Sequence, residues 1–178
     1  MQDRERVVDD LRQRIRDVPD FPIPGILFRD ITPLLQHPPS FRACVDLFVE
    51  HFKGSRIDVF AGIESRGFLF AAPVALALGA GFVPVRKAGK LPAAKLRRTY
   101  ALEYGEATLE LHQDAVGRGQ RVALVDDLLA TGGTAEAACH LLEQAGADIV
   151  DVAFLIELGF LHGRDRLGGR KVTAFIHY

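Results

Sequence analysis

Two adjacent carboxylates, followed by a short turn of threonine and glycine, form the part of this chain best suited to chemistry. Asp126 and Asp127 end an apolar run, and the turn after them opens a helical pattern. The turn, here called the glycine-threonine turn, consists of Ala130, Thr131, Gly132, Gly133 and Thr134. Its backbone amides and hydroxyls suit a phosphate monoester. Because the acids would repel that phosphate, we expect them to accept hydrogen bonds from sugar hydroxyls, and the motif predicts a phosphorylated-sugar site.

The elements that must position this motif are a strand before it and a helix after it. Residues 122–125 are all apolar, which predicts a buried strand of a parallel sheet. Residues 135–145 carry apolar side chains at helical spacing. Ligands of open α/β sheets bind at the carboxyl ends of strands, which is where the two acids fall.

The same alternation continues along the chain and predicts an α/β fold with a mainly parallel, twisted sheet flanked by helices. Further helices are predicted at 7–18, 41–52 and 67–78, further strands at 57–63, 82–86, 149–158 and 171–177, and a strand pair at 100–112 that turns near Gly105. Residues 162–167 indicate a short polar turn or helix. Residues 19–39 contain six prolines and predict a long extended connection.

Size and charge indicate one domain that binds neither nucleic acid nor membranes. The 178 residues can bury one substantial core, so we expect a single domain over 1–178. Lysine and arginine total 22 against 23 acidic residues, which leaves no positive excess for nucleic acid or anionic lipid. The N-terminus is charged and no apolar run reaches about 18 residues, so we expect a cytoplasmic protein. Cys44 and Cys139 lack metal-ligand spacing, which predicts reduced core thiols.

Two other segments could bind a diphosphate. Ser65 and Arg66 follow a predicted strand and open a helix, where amides and a bidentate guanidinium would suit that anion. A capped helix with a surface arginine explains these two residues equally well. Residues 86–100, here called the basic segment, are rich in lysine and arginine and contain no acid. Such a run is usually a solvated loop, but in a phosphate-binding enzyme a mobile basic loop could close over the diphosphate and exclude water.

The acidic pair and the turn after it resemble the phosphoribose-binding motif of the type I phosphoribosyltransferases. Arg-Lys-Ala-Gly-Lys-Leu-Pro at 86–92 and Leu-Glu-Tyr-Gly at 102–105 are similar to the catalytic loop of the adenine phosphoribosyltransferases within that family. The resemblance implies the type I phosphoribosyltransferase fold, with an N-terminal helix and base-binding hood over 1–35 and a flexible loop over 86–100. By the same resemblance, the diphosphate is bound by Ser65, Arg66 and Lys87. Glu103 would handle protons on the purine near N7.

Residues 20–33 resemble the adenine-binding hood of the same family. Adenine offers an N6 donor beside an N1 acceptor, which one carbonyl and one amide of an extended backbone can meet. The resemblance assigns these groups to Leu27 and Arg29, with Phe28 and Leu128 on the two faces of the ring. Hypoxanthine and guanine present O6 and N1–H instead, and each buried mismatch costs about 1–3 kcal/mol. A proline-rich connector whose phenylalanines fill the core would explain the aromatic residues alone.

The resemblance implies purine salvage, in which adenine and 5-phosphoribosyl-1-diphosphate give AMP and diphosphate. Mg²⁺ would be held chiefly by diphosphate and ribose oxygens, without a separate metal cage from the protein. A homodimer is expected, because the loops of this family commonly lie near the subunit interface. Two alternatives stay open. One is a phosphoribosyltransferase for xanthine, guanine or orotate, and the other is a regulator that senses the donor without turning it over, although the sequence shows no DNA-binding extension.

Overall fold

The chain forms two compact units, one over 1–47 and the other over 48–178. A computed structural model describes residues 2–101 and 105–178. The helices are α1 (Gln2–Gln13), α2 (Thr32–Gln36), α3 (Pro38–Phe52), α4 (Phe68–Leu78) and α5 (Gly133–Ala145), with short 3-10 helices at Gly159–Leu161 and Gly163–Leu167. The strands are β1 (Arg16–Pro19), β2 (Leu27–Asp30), β3 (Val59–Ile63), β4 (Gly81–Lys87), β5 (Lys95–Ala101), β6 (Glu106–His112), β7 (Arg121–Leu129), β8 (Asp148–Glu157) and β9 (Val172–His177).

The first unit contains a two-stranded antiparallel sheet in which β1 pairs with β2. Arg16 of β1 lies opposite Asp30 of β2, and their side chains form an ion pair with an Nη2–Oδ2 distance of 2.5 Å. The hydroxyl and amide of Thr32 donate to the Asp30 carboxylate and, with Arg16, hold its pKa at about 2. The acid therefore joins the end of β2 to the start of α2.

Two sequence predictions for this unit are wrong. The first helix ends at Gln13 rather than at Val18, because residues 16–19 pair with β2 and Val18 lies opposite Phe28. The connection over 19–39 is only partly extended, because it contains β2, α2 and the first turn of α3. Proline has no amide hydrogen to donate and is tolerated in the first turn of a helix, which is where α3 starts with Pro38.

The second unit is built on a seven-stranded sheet with the order β5-β6-β4-β3-β7-β8-β9. The five strands from β4 to β9 in this order are parallel, and β5 and β6 add an antiparallel edge beside β4. This confirms the predicted α/β class with a mainly parallel sheet. The chain runs outward from β3 to β4 on one side and from β7 to β9 on the other, so the strand order reverses between β3 and β7. Ligands of such sheets bind at the carboxyl ends beside this reversal.

Two strand boundaries differ from the prediction and matter for the site. Strand β7 continues to Leu129, so the two acids lie within the strand rather than after it. Pairing with β8 as far as Leu129 opposite Glu157 explains the extension, because neighbouring strands satisfy backbone groups that a loop would leave to water. Strand β5 begins at Lys95 inside the predicted basic loop, because residues 95–101 pair with β6.

The core of the second unit is apolar and closely packed around the parallel strands. Phe60, Leu124 and Phe154 are fully buried on three neighbouring strands.

Cys44 and Cys139 are free and buried, as predicted, and burial raises the pKa of both thiols to about 12. Among the described helices, none has the length and apolar character needed to cross a membrane.

Candidate functional site

A cavity of about 390 Å³ lies at the carboxyl ends of β3 and β7, where the strand order reverses. Its lining combines residues predicted from three separated segments of the sequence. They are Ser65, Arg66, Lys87, Asp126, Asp127, Leu128 and the whole turn from Ala130 to Thr134. The structure also adds lining residues that were not predicted to bind substrate, which are Ile63, Glu64, Tyr100, Ala107, Leu109, Leu129 and Ala135.

The two acids of β7 differ in their surroundings. Asp127 is 5% exposed, and its Oδ2 lies 2.5 Å from Nε of Arg66. Asp126 is partly exposed, and its Oδ1 accepts the amide hydrogen of Asp127. Burial and the charge of Asp127 raise the pKa of Asp126 well above the ordinary value for an aspartate. One carboxylate is therefore ion-paired, while the other is harder to ionise than an ordinary aspartate.

The contact between Arg66 and Asp127 adds to the sequence prediction for Arg66. The prediction placed this guanidinium on a diphosphate, and the structure places it on the acid that was predicted to hold a sugar. Arg66 lines the cavity and remains 44% exposed, so its side chain links the β3 end of the site to the β7 end.

Gly67 is required for this arrangement, and the sequence analysis missed it. A Cβ atom at Gly67 would lie 2.6 Å from the Ile63 nitrogen and 2.8 Å from Oδ1 of Asp126. Both distances are shorter than real Cβ contacts allow, so any side chain would push the start of α4 away from β7. The signal was present as a glycine directly after Arg66, but only the structure shows what the glycine approaches.

The glycine-threonine turn leads into α5 through Gly132, which has a left-handed φ of +83°. A Cβ atom at Gly132 would overlap the carbonyl oxygen of Gly163, and one at Gly163 would overlap the carbonyl oxygen of Ala130. The turn is thus held by direct backbone packing against the 3-10 helix that begins at Gly163. Because Gly163 lies some thirty residues further along the chain, the sequence pattern of the turn gave no sign of it.

The hydroxyl of Thr134 donates a hydrogen bond to the phenol oxygen of Tyr100 across 3.1 Å. Tyr100 lies near the end of β5, opposite Ala107 of β6, and both residues line the cavity. The antiparallel edge of the sheet therefore contributes directly to the wall of the site.

Glu64 organises the residues beside the Ser65–Arg66 corner. Its carboxylate accepts hydrogen bonds from the Arg86 guanidinium at 3.2 Å and from the Lys87 amide at 3.0 Å. Burial alone would raise the pKa of Glu64, but these donors outweigh it and lower the pKa. The acid thereby fixes the backbone of Lys87, whose side chain lines the cavity.

The basic segment is strand at both ends, in β4 and in β5, so the loop within it is confined to residues 88–94, and closure of that loop over a diphosphate stays a prediction. Its start belongs to β4 and its end to β5, and the turn between them is bonded to β6. The amide of Ala88 donates to the Thr108 carbonyl, and the amide of Gly89 donates to the Glu110 carboxylate, each across 3.0 Å. Leu91, within the turn, is 7% exposed.

Glu110 is the residue around which this segment is arranged. Its side chain is fully buried, with Nε of Arg97 at 2.8 Å and Nζ of Lys95 at 3.8 Å. These contacts explain why residues 95–100 are strand rather than loop. A run of basic residues with no acid in it is expected to be solvated. Here the neutralising carboxylate, that of Glu110, comes from the next strand.

The remaining predicted residues belong to the first unit or lie outside the described residues. Glu103 lies outside the described residues. Leu27, Phe28 and Arg29 belong to β2 of the first unit, where the rings of Phe21 and Phe28 pack edge to face with centroids 5.2 Å apart and Arg29 pairs with Asp17. Among the described residues, β2 has a strand partner on one edge only. A backbone edge of this kind can present the carbonyl and amide that the prediction requires.

Metal-binding capacity can be judged from the donor set. Within residues 2–101 and 105–178, no group of three or more histidine, cysteine, aspartate or glutamate side chains is arranged to hold a metal ion. Asp126 and Asp127, in the cavity lining, could each offer a carboxylate oxygen. A divalent cation here would need most of its ligands from a bound substrate.

Comparisons with known proteins agree with this geometry. Residues 30–172 match the model of the phosphoribosyl transferase domain family. The chain is 58% identical over 172 residues to an adenine phosphoribosyltransferase of Anaeromyxobacter dehalogenans, covering 97% of this chain and 100% of the relative. It is 57% identical over 160 residues to that of Thermobifida fusca, covering 90% of this chain and 91% of the relative.

Two solved structures are similar along nearly the whole chain. The adenine phosphoribosyltransferase of Thermoanaerobacter pseudethanolicus superposes with a TM-score of 0.93 at 48% identity, covering 96% of this chain and 99% of that one. The enzyme of Saccharomyces cerevisiae, solved in complex with an imino-altritol bisphosphate and adenine, gives a TM-score of 0.91 at 43% identity with the same coverage.

Proposed function

Because the chain belongs to the adenine phosphoribosyltransferases of the phosphoribosyl transferase family, we propose that it transfers the 5-phosphoribosyl group from 5-phosphoribosyl-1-diphosphate to adenine. The products are AMP and diphosphate, and the reaction is purine salvage. One structural observation supports the proposal independently of family membership. A single cavity joins an anion-binding turn at the start of α5, two carboxylates and a cationic corner at the end of β3.

The donor fits this cavity in one direction. The 5′-phosphate lies on the amides and hydroxyls of the glycine-threonine turn, because these are the donors at the N-terminus of α5. The ribose hydroxyls donate to Asp126 and Asp127. The diphosphate then reaches the opposite side, where Ser65, Arg66 and Lys87 line the wall. The reverse direction would place a diphosphate against two carboxylates.

Mg²⁺ is the cofactor we assign to the reaction. Of the three carboxylates that line the cavity, Glu64 is bonded to Arg86 and Lys87, and the described residues form no three-ligand group. This suits an ion that takes most of its oxygens from diphosphate and ribose. The ion supplies charge neutralisation of the leaving diphosphate. Asp126 and Asp127 hold the ribose, and their negative charge favours the positive charge that grows on its ring as the C1′–O bond breaks.

Adenine is assigned to the hood in the first unit and to Leu128. By likeness to the family, Leu27 and Arg29 meet N1 and N6 through their backbones, while Phe28 and Leu128 cover the ring. The backbone edge of β2 supports the assignment of the hood, and the adenine complex of the Saccharomyces cerevisiae relative supports adenine as the base. Glu103 is the residue assigned to proton handling at the purine.

A homodimer in the cytoplasm is the state we propose for the protein. Helix α4 is apolar along its entire length, yet Leu76 is 84% exposed and Leu69 is 39% exposed. A helix without a polar face is normally covered, and a second copy of the chain would cover it. The two free, buried thiols agree with a reducing compartment.

Initial rates with a panel of bases test the proposal. With donor and Mg²⁺ present, adenine should be converted to AMP with a kcat/KM at least about a hundredfold above that for guanine or hypoxanthine, since two buried polar mismatches accumulate. Glu103→Gln should lower kcat far more than it raises the KM for adenine. A preference for guanine, xanthine or orotate would contradict the adenine assignment. Binding of the donor with no turnover of any base would favour the regulator.

A further inference from the structure

Tyr100 occupies the wall of the cavity without a role in the reaction as described so far. It lies in β5, one residue before the strand ends, and it is partly buried. Its cross-strand partner Ala107 also lines the cavity, so this pair turns the same face of the antiparallel edge toward the site. Neighbouring Thr99 pairs with Thr108 and, because strand residues alternate, points to the other face.

Tyr100 contacts the glycine-threonine turn at two places. Its phenol oxygen accepts the hydrogen bond from the Thr134 hydroxyl at 3.1 Å. A Cβ atom at Gly133 would lie 3.6 Å from Cδ2 of the ring, which is ordinary van der Waals contact. The side chain thus packs against the first residue of α5 and bonds to the second.

The bond matters because of what Thr134 must do when phosphate is bound. A threonine hydroxyl carries one hydrogen and rotates freely unless a partner fixes it. With its hydrogen directed to the phenol oxygen, the phenol hydrogen remains available as a donor. If Thr134 instead donates to a phosphate, the phenol can donate to the Thr134 oxygen. In either state the two hydroxyls act as a pair that offers one O–H donor toward the turn.

We propose that Tyr100 is a positioning residue for the 5′-phosphate and acts through the hydroxyl of Thr134. The inference rests on the proposed function, because it takes the glycine-threonine turn as the 5′-phosphate site. It extends that function by assigning a phosphate-site role to the antiparallel edge of the sheet.

Tyr100→Phe is the variant that tests this role, since it keeps the ring and its packing on Gly133 and removes only the hydroxyl. Thr99→Val is the matched control. It removes the hydrogen bond between the hydroxyls of Thr99 and Thr108, which are 2.9 Å apart and exposed, from the neighbouring position of the same strand. The control therefore reports the effect of losing one side-chain hydrogen bond in β5 without touching the cavity.

Calorimetric titrations with ribose 5-phosphate and, separately, with Mg²⁺-diphosphate distinguish the two ends of the site. Tyr100→Phe should weaken ribose 5-phosphate binding about tenfold, the effect of one hydrogen bond, because the Thr134 hydroxyl loses the partner that orients it. Diphosphate binding should stay within about twofold of the wild type. Thr99→Val should leave both affinities unchanged. In turnover, Tyr100→Phe should raise the KM for the donor and leave the KM for adenine unchanged.

A double variant shows whether Tyr100 acts through Thr134. If it does, Tyr100→Phe added to Thr134→Val should weaken ribose 5-phosphate binding no further than Thr134→Val alone. Independent, multiplying effects would overturn the inference, as would unchanged ribose 5-phosphate binding in Tyr100→Phe. Equal loss of both ligands together with a lower melting temperature would also overturn it, because it would indicate a structural role. A wild-type protein that binds no ribose 5-phosphate would contradict the proposed function itself, and this inference with it.

Discussion

The glycine-threonine turn and the basic segment lie on two walls of one cavity, yet the chain holds them by different means. The turn is fixed by backbone packing, with the carbonyl of Gly163 against Gly132, and it leads directly into α5. The basic segment is fixed by side chains, because the buried carboxylate of Glu110 gathers the Gly89 amide and two cations. Both regions contain a glycine with a left-handed φ, +83° at Gly132 and +81° at Gly89.

Because the turn is held by backbone packing and the basic segment by charge, different substitutions should disturb the two regions. At Gly132 of the turn, an added Cβ atom meets the backbone carbonyl of Gly163, so the geometry of the anion site depends on the absence of a side chain there. In the basic segment, a Cβ atom at Gly89 would meet nothing within 4 Å, and the geometry depends on the presence of a charge. We therefore expect the two regions to respond in opposite ways to added bulk and to removed charge.

The largest effect is expected from Gly132→Ala, with Gly89→Ala as its matched control. Both variants place alanine in the left-handed region, which costs about 1–2 kcal/mol. Only Gly132→Ala adds an overlap with a backbone carbonyl, which we expect to cost a further ~1–3 kcal/mol and to raise the KM for the donor strongly. Urea unfolding and initial rates measure both quantities. Equal destabilisation by the two variants would remove the distinction between the regions.

A smaller effect is expected from Glu110→Gln. The glutamine keeps the shape and one acceptor but loses the charge that faces Arg97 and Lys95, so we expect a loss of about 1–3 kcal/mol in the free energy of unfolding. Limited trypsin digestion should show faster cleavage between residues 87 and 95. Glu106→Gln, at the exposed start of the same strand, should change neither measurement. A Glu110→Gln protein as stable and as resistant as the wild type would show that the charge does not hold the segment.

The smallest effect, and the only stabilising one, is expected from Asp126→Asn. Burial and the neighbouring Asp127 raise the pKa of Asp126, so the folded protein retains a proton that the unfolded chain has already lost. Wild-type stability therefore falls as the pH rises from the ordinary aspartate value near 3.8 through the raised pKa. The variant lacks this titration, so its advantage in stability should grow over that range and then stay constant.

Melting temperatures of both proteins across pH 4 to 9 measure this difference, and donor KM should rise in the variant despite the stability gain. Asp127→Asn is the contrasting variant, because it removes the negative charge that pairs with Arg66 and should destabilise the protein. If Asp126→Asn were also destabilising at every pH, the account of a strained acid in the β7 wall would be wrong.

The glycine-threonine turn could be predicted from the sequence more fully than the basic segment. The turn, the acids and the strand before them are contiguous, so hydrophobic pattern and residue type sufficed to predict an anion site there. Ser65, Arg66 and Lys87 were predicted as separate segments, and the structure brings all three to the same cavity. The parallel sheet and four of the five helices followed from periodicity, with boundaries shifted by a few residues.

What the sequence could not predict depends on distant partners. Glu110 bonds the basic segment, Gly163 packs against Gly132, and Tyr100 is hydrogen-bonded to Thr134. In each case the partners are at least thirteen residues apart in the sequence. Helix α2 was missed because it is five residues long and follows a β-strand in a proline-rich stretch. Single-chain patterns carry no information about which strands become neighbours.

The central claim is that one cavity binds the whole phosphoribosyl donor, with its 5′-phosphate on the glycine-threonine turn. The most direct test is a crystal structure of the protein with ribose 5-phosphate and Mg²⁺-diphosphate. The account predicts the 5′-phosphate within hydrogen-bond distance of the amides from Thr131 to Thr134, the ribose hydroxyls on Asp126 and Asp127, and the diphosphate beside Arg66 and Lys87. Density for the 5′-phosphate at Arg66 and Lys87, or outside this cavity, would contradict it.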